Sequence, residues 1–128
     1  MTVIGLNHFN ISAPAELIEE VRDFYVDVLG LTAGDRPNFA RRGYWLYAGD
    51  KPIVHLVVCD EKDVRTSGGA APSMVGHIAF SSKGLREFIE RLKALRVEYG
   101  VVEVPSRKQV QIFIRDPVGV VVEMNFEE

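Results

Sequence analysis

Apolar and polar positions follow one order along this chain and then repeat it. From Val3 to Ile11 apolar residues with polar interruptions predict a strand; Ser12, Ala13 and Pro14 break it and supply a helix start. Over Ala15–Leu29, Leu17, Ile18, Val21, Phe24, Tyr25, Val28 and Leu29 recur at steps of three and four. This is an amphipathic helix, closed by Gly30. Three β-type stretches follow at 35–40, 43–48 and 52–59, with Gly49-Asp50-Lys51-Pro52 as a turn. Residues 60–73 are polar and then glycine-rich, a linker and a candidate lid. The order then recurs: a strand at 75–81, a helix at 83–95 with Leu85, Phe88, Ile89 and Leu92 on one face, and strands at 98–104, 109–115 and 119–126. Asp116-Pro117-Val118-Gly119 turns between the last two. Each half reads β-α-β-β-β.

The chain has three histidines, and all fall in matching contexts of the two halves. His8 lies in Leu6-Asn7-His8-Phe9-Asn10-Ile11, and His77, 69 positions later, in Val75-Gly76-His77-Ile78-Ala79-Phe80. His55 lies in Ile53-Val54-His55-Leu56-Val57-Val58, and Glu123, 68 positions later, in Val121-Val122-Glu123-Met124-Asn125-Phe126. Offsets this close predict that the halves fold alike and bring their ligand-type residues to one metal site. Strand side chains alternate between faces, so His8 travels with Leu6 and Asn10, and Glu123 with Val121 and Asn125. Val120, Val122, Met124 and Phe126 point the other way, towards the helix, which leaves His8 and Glu123 on the helix-free face. A carboxylate in so apolar a run is costly unless a cation neutralises it.

Bulk properties narrow the function further. The 128 residues, 47% hydrophobic and 26% charged, suit one soluble domain. A net charge of −3, with basic residues dispersed among acids, argues against nucleic acid as a partner. No signal peptide and no run long enough to cross a bilayer are evident, and membrane association is not expected. Cys59 is the only cysteine, which excludes an intrachain disulfide; it reads as a strand-end hydrophobe, and the cytoplasm is the expected compartment.

The repeated unit, Leu6-Asn7-His8-Phe9, Phe24-Tyr25-Val26-Asp27-Val28-Leu29-Gly30-Leu31, Gly76-His77-Ile78-Ala79-Phe80, and Asp116-Pro117-Val118-Gly119 leading to Glu123 together resemble the vicinal oxygen chelate superfamily. That group contains glyoxalase I, fosfomycin resistance proteins, methylmalonyl-CoA epimerase, extradiol dioxygenases and bleomycin resistance proteins. The resemblance implies an α+β fold of two βαβββ modules, at about 1–59 and 75–128 around a linker at about 60–74, forming a curved, partly open mixed sheet with helices on its convex side. It also implies one divalent ion per site (Zn, Ni, Mn or Fe) held by His8, His55, His77 and Glu123, with Glu123 and His55 as proton-moving residues. Position 55 is usually a carboxylate in glyoxalase-like members, or a glutamine in the epimerases. His55 departs from that pattern, and a set of His8, His77 and Glu123 alone would match the members that use two histidines and a carboxylate.

For substrate contacts the expectation falls on Asn10, Trp45, Tyr47, Gln111, Phe113 and Arg115, with Tyr44 also beside the ligand strands and Arg36, Arg41 and Arg42 as anion clamps. The expected activity is glyoxalase-I-like, the ion acting as a Lewis acid on a vicinally oxygenated small molecule, in a homodimer. The alternatives are an Fe(II) extradiol-type dioxygenase, a fosfomycin-type thiol transferase, and a non-enzymatic protein that sequesters a drug or metabolite.

Overall fold

The computed structural model describes residues 1–2, 4–60 and 77–127. The chain divides into two compact units, residues 1–71 and 72–128. The linker expected at 60–74 lies, from residue 61 onward, outside the described residues, as does the lid expected there.

In the first unit, β1 (Phe9–Ala13) is followed by α1 (Ile18–Asp23), which runs on into a wider π-helical turn, Phe24–Val28. Then come β2 (Thr32–Gly34), β3 (Gly43–Ala48) and β4 (Lys51–Val58). The sheet order is β1-β4-β3-β2, with β1 parallel to β4 and the other pairs antiparallel. The second unit repeats this plan with β5 (Ile78–Ser82), α2 (Leu85–Ala94), β6 (Gly100–Val104), β7 (Gln109–Arg115) and β8 (Val121–Phe126), in the order β5-β8-β7-β6. Again the first strand pairs in parallel with the last. The repeated β-α-β-β-β order expected from the sequence is therefore present in both units, as two four-stranded mixed sheets.

Each helix covers one face of its own sheet. Ile18, Val21, Tyr25 and Val28 of the first helical segment are buried, as are Ile11, Ala13, Leu46, Val54 and Leu56 of the first unit's strands. In the second unit Phe88 and Leu92 are buried with Ile112, Ile114, Val122, Met124 and Phe126, and the rings of Phe88 and Phe126 pack 5.6 Å apart. Cys59 is buried, in keeping with its reading as a strand-end hydrophobe.

Three element boundaries differ from expectation. The first strand starts at Phe9 rather than Val3: pairing starts at Phe9 opposite Val54, and further back β4 offers Pro52, which has no N–H for the ladder. The stretch 35–40 is not a strand; pairing with β3 is made instead by Thr32–Gly34. Pro37 withholds a ladder donor, and the Phe39 N–H closes a tight turn onto the Pro37 carbonyl at 2.8 Å. The expected helix over 15–29 is α-helical only over Ile18–Asp23, the π turn carrying it to Val28 while keeping Tyr25 and Val28 on the buried face. Gly30 closes it as expected, at φ +80°.

The turn that launches β8 is built around a buried acid. Asp116 Oδ1 accepts the N–H groups of Val118 and Val120 at 3.0 and 2.8 Å, while its carbonyl accepts the N–H of Gly119 at 3.0 Å. Asp116→Ala strands two backbone donors, so a loss of about 2 kcal/mol of unfolding free energy is expected in urea titration. Asp116→Asn, which keeps an acceptor oxygen, is expected to lose less.

Candidate metal and ligand site

Pairing register carries four candidate residues onto equivalent positions of the two sheets. Asn10 lies opposite His55 across β1 and β4, and Trp45 lies opposite His55 across β3 and β4. In the second unit Ala79 and Phe113 lie opposite Glu123 in the same manner. His8 and His77 each stand one residue before the first strand of their unit. Parity then puts His8, Asn10, Trp45 and His55 on the sheet face away from α1, and His77, Gln111, Phe113, Glu123 and Asn125 on the face away from α2. The facing expected from the sequence holds within each unit.

The two pairs differ in chemistry. In the first unit the rings of His8 and His55 are stacked, centroids 3.8 Å apart and planes 15° apart, and His55 stacks in turn on Trp45 at 4.1 Å and 12°. The His8 Nδ1–H donates to Asn7 Oδ1 at 2.7 Å, which leaves Nε2 with its lone pair. The His55 Nε2–H donates to the Pro52 carbonyl at 3.0 Å, so only its Nδ1 is left to accept. Stacked rings hold their in-plane lone pairs side by side, whereas two ligands of one ion must aim theirs at a common point. In this pose His55 packs flat against the His8 ring, and the two lone pairs do not converge.

In the second unit Glu123 is a buried carboxylate, 7% exposed, between buried Val122 and Met124. Its Oε2 accepts from Asn125 Nδ2 at 2.6 Å and from Gln111 Nε2 at 3.5 Å. Its Oε1 faces His77 Nε2 at 3.4 Å. Phe113 meets the His77 ring edge-on at 6.3 Å. Asn125 Oδ1 is buried without a hydrogen-bond partner, an open acceptor on the residue that orients the carboxylate. Among the described residues no three histidine, cysteine, aspartate or glutamate side chains gather as one metal-holding group; they stand as these two pairs. The donor types nevertheless fit a divalent ion: His8 Nε2 keeps its lone pair while Nδ1 is tied to Asn7, and Glu123 Oε1 faces His77 while Oε2 is tied to Asn125 and Gln111.

Burial lowers the pKa of His55 below its ordinary 6.5, with the neighbouring His8 and then Arg36 acting in the same direction and the bond to Pro52 opposing. The unfolded chain therefore takes up this proton at a higher pH than the folded one. His55 contributes stability in full above about pH 6.5 and loses it as the pH falls from there. In EDTA-treated protein the melting temperature is expected to decline from pH 7 to pH 5, and His55→Gln to flatten that decline.

Other expected substrate residues divide. Asn10 and Trp45 line a cleft of about 560 Å³ in the first unit, together with His8, His55, Arg36, Phe39 and Arg41. Gln111 and Phe113 attend Glu123 and His77 as described. Tyr47 instead spends its hydroxyl on the Asp35 carbonyl at 2.6 Å and lays its ring over Gly34, because a register shift after Leu46 follows Trp45. Arg42 is no anion clamp: it pairs with Glu19, which also accepts the Tyr44 hydroxyl at 3.0 Å, on the helix side. Arg115 reaches back to the Gly119 carbonyl at 3.3 Å. Phe39 was not among the expected substrate residues; its signal was Pro37, which diverts this stretch from the sheet.

A profile of the Glyoxalase/Bleomycin resistance protein/Dioxygenase superfamily matches residues 5–124, and the chain belongs to that superfamily. No sequence among curated proteins matches it. Solved structures alike in fold include a glyoxalase family protein from Bacillus anthracis, 22% identical with a TM-score of 0.77, over 100% of this chain and 98% of that one. Lactoylglutathione lyase from Agrobacterium tumefaciens is 20% identical with a TM-score of 0.67, over 98% and 96%. A mutant of the fosfomycin resistance protein FosX from Listeria monocytogenes, complexed with manganese(II) and 1S,2S-dihydroxypropylphosphonic acid, is 15% identical with a TM-score of 0.71, over 99% and 95%. At these identities the likeness is one of fold. No helix among the described residues is long and apolar enough to cross a membrane.

Proposed function

We propose that this chain is a divalent-metal-dependent enzyme acting on a vicinally oxygenated small molecule, in the manner of a glyoxalase-type lyase or isomerase. The observation that carries this reading is Glu123: a carboxylate buried in an apolar strand, held by Asn125 and aimed at His77, at the register position His55 occupies in the first unit. We assign His8, His77 and Glu123 as ligands. A bound divalent ion supplies Lewis acidity to a substrate carbonyl or hydroxyl. Asn125 Oδ1 is ready to accept a hydroxyl proton in a hydrogen bond, and His55, with its Nε2–H given to Pro52, has Nδ1 as its proton-accepting atom. As the proton-moving residue, Glu123 Oε1 would take a proton from one carbon of the substrate and return the same proton to the adjacent carbon, leaving the carboxylate as it began. We further propose a cytoplasmic homodimer, which sedimentation velocity tests.

A second reading rests on the same detail. With the His55 Nε2–H given to Pro52, the set reduces to two histidines and one carboxylate, which also suits non-haem Fe(II) oxygenases. Elemental analysis of purified protein, followed by assays of hemithioacetal isomerisation and of oxygen uptake with catechols, separates the two. A metal-free protein that stays inactive after reconstitution with Zn, Ni, Mn and Fe(II) rejects both.

A further inference from the structure

We propose that the cleft of the first unit takes a planar aromatic ring bearing a carboxylate, and that aryl carboxylates are the substrate class of this protein; the second clause rests on the metal-enzyme reading above, the first does not. The cleft, about 560 Å³, is the size of a one- or two-ring compound. Among the described residues it is lined by Arg36 and Arg41 and by no aspartate or glutamate, although the chain as a whole carries a net charge of −3. A pocket of this charge in an acidic protein selects anions.

Arg36 is the sharper of the two cations. One of its terminal nitrogens donates to the Arg41 carbonyl at 3.0 Å, and its guanidinium lies 4.9 Å from the centre of the Phe39 ring. Its Nε–H is buried with no hydrogen-bond partner. A buried donor of a charged group left unpaired is costly, and a carboxylate oxygen is the acceptor that satisfies it most strongly. The geometry around it is made by Gly43, where an added Cβ would lie 3.0 Å from the guanidinium. The remaining wall is π surface: Phe39 and Trp45, 6.2 Å apart and tilted by 46°, continue into the Trp45–His55–His8 column. Flat aromatic walls favour a flat ring over a puckered one of equal size, through stacking and edge contacts.

Trp45 is the only tryptophan of the chain, so its fluorescence reports on this cleft directly. Titration of EDTA-treated protein with benzoate is expected to change Trp45 emission with a Kd on the order of 1 mM. Cyclohexanecarboxylate, which lacks the flat ring, and benzamide, which lacks the charge, are each expected to bind at least about tenfold more weakly. Arg36→Met is expected to weaken benzoate about tenfold or more and Arg36→Lys to restore part of the loss, with circular dichroism confirming the fold. Arg86→Gln, on the exposed side of α2 where Arg86 pairs with Glu90, is expected to change nothing. Equal binding of benzoate and benzamide, or of benzoate and cyclohexanecarboxylate, overturns the proposal, as does no emission change up to about 20 mM benzoate. These outcomes leave metal content untouched, whereas loss of the metal reading with benzoate binding intact would remove only the substrate role.

Discussion

Glu123→Ala is expected to reduce bound metal from about one ion per site to near zero and to lower any metal-dependent turnover by two orders of magnitude or more. The side chain is the one carboxylate of the proposed ligand set, and among the described residues no acid stands beside it to take over: its contacts are Asn125, Gln111 and His77. Alanine also leaves the Asn125 and Gln111 amides facing a cavity, yet removes a buried charge that was costly in itself. These effects oppose each other, and the metal-free protein is expected to change in stability by no more than about 2 kcal/mol. Glu123→Gln keeps the shape and an acceptor for Asn125 while removing the charge, so it is expected to hold the fold and still lose metal affinity at least about tenfold. Plasma emission analysis after gel filtration, with thermal unfolding of the EDTA-treated variants, reads both quantities. Stoichiometric metal in the alanine variant would sink the ligand assignment.

Gly43→Ala is expected to be strongly damaging for a single methyl, costing about 3 kcal/mol, or roughly 10 °C in Tm. A Cβ at this position would sit 2.1 Å from the Leu56 carbonyl oxygen, a backbone atom that cannot rotate aside, and 3.0 Å from the Arg36 guanidinium. Relief requires β3 to separate from β4 where Gly43 pairs with Val57 and Tyr44 with Leu56, beside His55. The variant is thus expected to lose the aryl-carboxylate cleft along with stability. Gly100→Ala serves as the control, since nothing lies within 4 Å of its added Cβ, and it is expected to be near neutral.

The ligand-type residues were legible because their facing is a local property. Alternation along β4 and β8 separates His55 and Glu123 from their buried neighbours Val54, Leu56, Val122 and Met124, whatever lies far away in sequence. The duplication was legible for a related reason: the same strand, helix and turn signals recur at offsets of 69 and 68 residues, and the pairing registers of the two sheets match at those positions. The path after β2 was not legible in full. Asp35–Ala40 has strand-like composition, but Pro37 removes a ladder donor and the chain folds Arg36 and Phe39 over the cleft instead.

Sequence by itself determined the two β-α-β-β-β units, which faces of β4 and β8 carry His55 and Glu123, and that a histidine stands at the start of each unit, since periodicity and residue type act within a few positions. Tertiary structure alone decided that Glu19 engages Arg42 and Tyr44 on the helix side, that His55 lies flat between His8 and Trp45 with its Nε2–H spent on Pro52, and that Arg36 is left with a buried, unpaired donor. Those outcomes depend on which side chains from distant positions arrive at the same place, and on which hydrogen-bonding groups they leave unmatched there.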